Sequence, residues 1–298
     1  MMQYVRHAEI DKERWDRTVE LAIGGMPYAL SWYLDVVSPG WDALIEGDYA
    51  DIMPVTKKHK YFLNYVIQPP FAQQLGVLSA QSLDSRTISK FCNQLINRYG
   101  YVNIQLNYAN IQLPATDLFP NYVLDLNRSY DDLRRRFAEN HRRNIRKVLQ
   151  TGQLAEGKDI PIVQIENFVQ AHESQQHLLP ILRQLTRIAC DRNAGRWQVA
   201  INNSGQIISA NFWLHFRYRH IYLYSVSSQE GKSLRASFFL INEYIRRYAG
   251  DTCLIDFEGS RIPGVARFFE GFGARVEYYP VFRYYHPLKL FLRSFMPA

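Results

Sequence analysis

Three stretches of this 298-residue chain gather residue types that do chemistry when folded into one place. The first is Asn140-His141-Arg142-Arg143-Asn144-Ile145-Arg146-Lys147. A guanidinium makes forked hydrogen bonds to phosphate, and arginine supplies 26 of the 35 basic residues. Arg142, Arg143 and Arg146 could therefore clamp the phosphates of a nucleotide-bearing substrate or of an RNA backbone. The plainer alternatives are a solvated helix face and ion pairing between domains. The second stretch, Ser225-Val226-Ser227-Ser228-Gln229-Glu230-Gly231-Lys232-Ser233, joins a predicted strand to a predicted helix. Its Gly-Lys-Ser resembles the end of a P-loop, but that pattern needs glycine where Val226 stands, so nucleotide hydrolysis is excluded. What remains is a helix start with Ser233 as its cap, the backbone amides of residues 234–237, the cations Lys232 and Arg235, and the hydroxyls of Ser227 and Ser228. Such a start either holds an anion, with Leu234 lending its amide, or is a plain cap. The third stretch is Leu254-Ile255-Asp256-Phe257-Glu258-Gly259-Ser260-Arg261. Side chains two apart on a strand share a face, so Asp256 and Glu258 could line one cleft and take a proton from an attacking amine. Alternatively Asp256 caps the next helix and Glu258 pairs with Arg261.

Other chemistries lack support. His172 and His177 are five apart, which misses the i, i+4 spacing of a metal pair on a helix, and no metal is expected. Ser79, Ser82 and Ser85 form no nucleophile elbow. Cys92, Cys190 and Cys253 are odd in number and far apart, and read as three reduced, buried thiols. The first residues turn polar at once, with no signal-peptide run, and no stretch is long and apolar enough to span a bilayer, so a cytoplasmic protein is expected. The apolar tail with Phe291 and Phe295 suits either packing on the body or weak contact with a membrane surface.

Hydrophobic periodicity supplies the elements that would position these groups. In the first half it predicts a strand at 3–7, helices at 12–22 and 31–37, strands at 41–46, 51–56 and 61–67, a helix at 85–99 and a strand at 101–106. The second half repeats the order: a strand at 161–165, helices at 166–177 and 180–191, strands at 196–201, 206–216 and 219–226, a helix at 233–248, a strand at 252–257, a helix at 265–272 and a strand at 276–285. Between them residues 129–151 read as one long arginine-rich helix. The length and this repetition predict two α+β domains, 1–125 and 126–298, each a mostly antiparallel sheet flanked by helices. Charge separates them, for residues 1–125 carry 10 basic against 13 acidic groups and residues 126–298 carry 25 against 15. The basic half should meet an anion.

The residues 132–151, with Ser233-Leu234-Arg235-Ala236-Ser237, Ile255-Asp256-Phe257-Glu258-Gly259-Ser260 and Val265-Ala266-Arg267-Phe268-Phe269-Glu270-Gly271-Phe272-Gly273-Ala274, resemble the GNAT acyltransferase superfamily, in its FemAB-like tandem-domain branch. Gln68-Pro69-Pro70-Phe71-Ala72-Gln73-Gln74-Leu75-Gly76 looks like the front half of bacterial members of that group. The resemblance implies two acyltransferase-like domains, the first degenerate, and transfer of an acyl or aminoacyl group to an amine. No permanently bound cofactor is implied; the donor co-substrate would be acyl-CoA or aminoacyl-tRNA, and the acceptor a small molecule or a cell-envelope precursor. Asp256 or Glu258 would accept the proton, and Ser227, Ser228, Lys232, Ser233, Leu234 and Arg235 would hold the donor. Arg142, Arg143, Ser260 and Arg261 would add substrate contacts. Trp213 and Tyr224 would wall the acyl channel, and the amides of residues 222–226 would polarise the carbonyl. The sequence departs from the superfamily in two places: its loop Gln229-Glu230-Gly231-Lys232-Ser233-Leu234-Arg235-Ala236 does not fit the Q/R-x-x-G-x-G/A pattern, and Phe269 stands where a tyrosine would protonate a leaving thiolate. These departures weigh against acetyl-CoA and favour a second reading, a non-catalytic module that binds RNA or a nucleotide-type anion.

Overall fold

The structure, a computed structural model, describes residues 1–60, 63–113 and 117–286. The tail bearing Phe291 and Phe295 lies outside the described residues. The chain separates into two compact units. One runs from Met1 to Pro120 and takes the chain back from Tyr278; the other is Asn121–Glu277. The second unit begins at Asn121, where the sequence suggests a boundary at 125/126, and residues 278–286 belong with the first unit.

In the first unit, β1 (Gln3–Val5), α1 (Lys12–Leu21), α2 (Ser31–Val37), β2 (Asp42–Glu46), β3 (Asp51–Val55), β4 (Lys57–Lys60), β5 (Leu63–Ile67), β6 (Leu78–Ser79), α3 (Ser85–Arg98) and β7 (Tyr101–Gln105) follow in order. β1, β2, β3 and β6 form an antiparallel sheet, while β5 lies between β4 and β7. Both long helices begin at an aspartate cap: Asp11 accepts from the Arg14 amide at 3.1 Å and Asp84 from that of Thr87 at 2.8 Å. Ile88, Phe91, Cys92 and Leu95 recur at helical spacing and are all buried, which seats α3 on the sheet.

The second unit holds β8 (Asp117–Asp125, from Asn121 on), α4 (Tyr130–Arg136), α5 (Glu139–Thr151), β9 (Leu154–Glu156), α6 (Ile162–His172), α7 (Leu179–Asp191), β10 (Gly195–Asn202), β11 (Ile207–Phe216), β12 (Arg219–Ser227), α8 (Gln229–Ser233), α9 (Ala236–Tyr248), β13 (Leu254–Asp256), α10 (Pro263–Glu270) and the start of β14 (Arg275–Tyr285). Its sheet runs β8-β13-β12-β11-β10-β9, and β12 with β13 is its parallel pair. Trp213, Tyr222, Tyr244, Phe257, Phe269 and Phe272 pack into the core beneath α9 and α10.

Two sequence expectations fail here for local reasons. The long helix over 129–151 is broken, because Phe137 and Ala138 are extended, with ψ of 140° and 149°, and α5 starts afresh at Glu139. Residues 161–165 are not a strand but the opening turn of α6, where Pro161 occupies the cap and only Ile165 of the apolar residues is buried. The cysteines are free. Cys92 is buried, whereas Cys190 and Cys253 are half-buried instead of enclosed. Burial pushes the Cys92 thiol up to about 12 and the other two to about 11, so none is a thiolate near neutrality. Among the described residues no helix is long and apolar enough to cross a membrane, and no group of side chains could hold a metal ion.

Candidate active site

β12 and β13 diverge. They pair only through Arg219↔Leu254, His220↔Ile255 and Ile221↔Asp256, after which β12 runs on to Ser227 while β13 turns toward β8, Phe257 N donating to Tyr122 O at 2.8 Å. On its other edge β12 stays paired with β11, with a bulge at Leu223 between the Phe212↔Tyr224 and Trp213↔Tyr222 pairs. Ser228 N donates to Ile208 O at 2.9 Å. In an antiparallel ladder that register points the backbone groups of Val226 and Tyr224 at β11 and those of Ser225 and Ser227 into the gap. Ser225 is exposed there. The register thus turns the backbone of Ser225, within the expected 222–226, and that of Ser227, just beyond it, into the gap.

The gap opens beside two helix starts. Ser228, and not Ser233, is the cap: its Oγ accepts from Gly231 N at 3.0 Å and begins α8. Ser233 Oγ bonds back to Gln229 O, and Leu234 ends the short helix. Arg235 then takes a left-handed conformation, φ 60°, and starts the 13-residue α9 with no side-chain cap. The positive end of α9 thus carries no side-chain cap, with Ala236 buried and Ser237 half-buried. Ser227 Oγ lies 2.8 Å from Ser209 Oγ and 3.4 Å from Ser237 Oγ, a line of hydroxyls against the first turn of α9. Lys232 is exposed, and the Arg235 guanidinium is steadied by Nε donating to Asn144 Oδ1 at 2.8 Å. That contact brings in the face of α5 that carries Arg143, itself exposed and held by Asn140 Oδ1 at 3.0 Å. The nearby Glu230 carboxylate accepts from Asn202 Nδ2 at 2.9 Å.

Several expected site residues have other occupations. Asp256 is fully buried: Oδ2 accepts from Arg219 Nη1 at 2.7 Å and Oδ1 from Glu258 N at 2.9 Å. Arg219 in turn grips both oxygens of Glu277 at 3.0 and 2.9 Å. Asp256 is thus a structural ion-pair partner, neither a helix cap nor a base reached by substrate. β13 ends at Asp256 and Glu258 has φ 60°, so the two carboxylates do not share a strand face. Glu258 is half-buried just beyond the divergence. Arg142 Nη1 donates to the carbonyls of Arg135 and Phe137, both at 3.0 Å, closing the end of α4. Trp213 is completely buried, stacked on Tyr244 at 3.6 Å with Nε1 donating to Gln198 Oε1, and walls no channel. The neighbouring bulge sets Tyr224 opposite Phe212, on the other face of the sheet from Trp213. Ser260 Oγ accepts from Ile262 N at 3.1 Å in the turn before α10, where Arg261 is exposed. Phe269 is 6 % exposed and stacked on Phe257 at 4.9 Å.

Tyr224 donates to Glu173 Oε2 at 2.6 Å. Burial opposes the Glu173 charge, but hydrogen bonds from the Gln175 amide, Tyr224 and Ser174 outweigh it and hold the carboxyl below its ordinary range. Burial, and then this carboxylate, raise the Tyr224 hydroxyl well above its own. Neither this pair nor Asn144–Arg235 has a sequence signal, since 51 and 91 residues separate the partners.

The sequence matches no family model and no curated protein. Solved structures do match. The chain is similar to FemX with a TM-score of 0.71 at 10% identity, covering 97% of this chain and 99% of that one. It is similar to L-PGS from Bacillus licheniformis at 0.57 and 10%, covering 96% and 94%. A tandem GNAT protein from the clavulanic acid biosynthesis pathway matches at 0.55 and 12%, covering 95% and 98%. The chain has the α+β fold of the FemAB-like, tandem branch of GNAT proteins.

Proposed function

We propose that the second unit transfers an acyl or aminoacyl group from a phosphate-bearing donor, acyl-CoA or aminoacyl-tRNA, to an amine by direct attack. The observation that carries this reading is the gap where β12 leaves β13, opening beside the uncapped start of α9 with Lys232 and Arg235. The donor phosphates would lie on the amides of Ala236 and Ser237, Lys232, Arg235 and Arg143. Its carbonyl would reach the amide of Ser225 in the gap, so that the oxyanion formed by attack is stabilised where it develops. Glu258 is the carboxylate suited to take the amine proton, directly or through water, now that Asp256 is committed to Arg219. With Phe269 packed in the core, no side chain at that position can protonate a leaving thiolate. The leaving sulfur or ribose oxygen would then take its proton from water, or through water from the proton received by Glu258.

The same two features, a buried Asp256 and an apolar Phe269, favour the second reading, a module that binds such a donor without turnover. One set of measurements separates them: equilibrium binding of acetyl-CoA and of charged tRNA, and transfer to amine acceptors. Lys232→Glu is expected to weaken donor binding at least tenfold, with wild-type binding falling as salt rises. Glu258→Gln should lower the transfer rate and leave donor affinity intact. Unchanged donor binding in Lys232→Glu overturns the placement of the phosphates. Donor binding without transfer to any amine establishes the binding module.

A further inference from the structure

We infer that the cleft between α6 and α7 is a binding site for a small carboxylate that also carries an amide and an apolar side chain, of the N-acyl amino acid type. The cleft is open to solvent and has a volume of about 670 Å³, room for a small molecule. Its two ionisable lining residues are both arginines, Arg183 and Arg187. Each is aimed before any ligand arrives. Arg187 donates through Nε and Nη2 to the two oxygens of Glu166, both at 2.6 Å, and Glu166 is only 7 % exposed. Arg183 donates through Nη2 to Gln170 Oε1 at 3.1 Å, with its Nε 3.6 Å from the same carboxylate.

A guanidinium has five N–H groups. The Nη1 edge of each arginine therefore remains available for an acceptor oxygen. Glu166 lies behind the arginines instead of in the cleft, so it positions them without occupying the place of an anion. One Nη1 edge from each of the two arginines suits the two oxygens of a planar, singly charged carboxylate. Gln170 and Gln184 offer amides to a ligand amide, and Leu179 and Ile188 supply the apolar wall. Beneath, Trp197 lines a small recess with Glu166 and Arg183, and its buried Nε1 has no partner among the described residues. Trp197 is thus a built-in reporter of occupancy. The assignment is independent of the donor site, since none of these residues belongs to it.

Titration of the whole protein with N-acetyl-leucine and with N-acetyl-leucinamide, followed by tryptophan fluorescence and calorimetry with no donor present, tests it. Saturable binding of the acid is expected, at least tenfold tighter than the amide, with a fluorescence change that Trp197→Phe abolishes. Arg183→Gln should weaken the acid tenfold or more. Gln184→Glu, a change at an exposed position that adds like charge, should weaken it as well, and Lys232→Glu should leave it unaltered. Equal affinity for acid and amide, tighter binding of inorganic phosphate, or wild-type affinity in both Arg183→Gln and Gln184→Glu would overturn the proposal. Loss of acyl transfer alone would not.

Discussion

Asp256 shows how a residue of the right type can be removed from chemistry by its neighbours. A carboxylate at the end of a strand looks available, yet here it lies in the interior against Arg219 and Glu277. Breaking a buried ion pair outright costs about 3–5 kcal/mol, but Arg219 would keep the Glu277 carboxylate when Asp256 is neutralised. Asp256→Asn is accordingly expected to destabilise the protein by less than that, about 1–3 kcal/mol in chemical denaturation, with donor affinity unchanged under folding conditions. Full stability combined with lost transfer would return Asp256 to the chemistry. The same logic explains Arg142, whose position in an arginine run suggested phosphate but whose side chain closes α4. What a charged residue does depends on which unsatisfied group is nearest, and for both residues that group belongs to the protein.

At the scale of elements, the gap and the helix starts depend on close backbone approach. A Cβ built on Gly231 would lie 2.2 Å from Ile208 O, a backbone atom with no freedom to move away. Only glycine lets α8 lie against β11 so that Ser228 can cap it and Arg235 can start α9 at the mouth of the gap. Gly231→Ala should therefore displace α8, cost about 1–3 kcal/mol and weaken donor binding. Denaturation and binding measured on one preparation check both effects, and a variant with native affinity would show that α8 has no part in placing the donor. The loop between β12 and α9 was recognisable from its serines, glycine and cations, but its cap was not. Ser228 and Ser233 are chemically equal, and the choice between them was made by the approach to β11. The broken helix at 137–138 was similarly hidden, for Phe137 fits the apolar periodicity of α4 and α5 and is buried whether or not the helix continues.

At the scale of the whole molecule, acid stability should report a network near the far end of α9 from its start at Ala236. The Tyr244 hydroxyl sits 2.9 Å from His215 Nε2 and 3.0 Å from His220 Nδ1, with Arg196 over the Tyr244 and Tyr248 rings. Burial, then His220 and Arg196, push His215 down to about 4, and burial with Arg196 lowers His220. Both imidazoles are held neutral in the native state. Below the unfolded value of 6.5 the unfolded chain binds protons that the folded one refuses, so stability is full above that pH and is lost as pH falls toward about 4. The melting temperature should drop across this window, and His215→Gln should flatten the slope; an identical slope in the variant would place the acid sensitivity elsewhere.

The sequence by itself determined the elements of the second unit from residue 180 onward except α8, the α+β class, the basic charge of the second half and the grouping of serines and cations around Lys232 and Arg235. Periodicity, capping chemistry and composition are local, and each is written in residues close together. Only the tertiary structure decided that β12 parts from β13 after Ile221, that Asp256 is spent on Arg219, that Trp213 and Tyr224 occupy opposite faces, and that residues 278–286 rejoin the first unit. It alone disclosed the cleft between α6 and α7, because the partners that aim its arginines lie 13 and 21 residues away and no pattern in the chain links them. The physical reason is common to all of these. Burial and pairing between distant residues set the free energy of a charged or aromatic side chain, and no short window of sequence contains both partners.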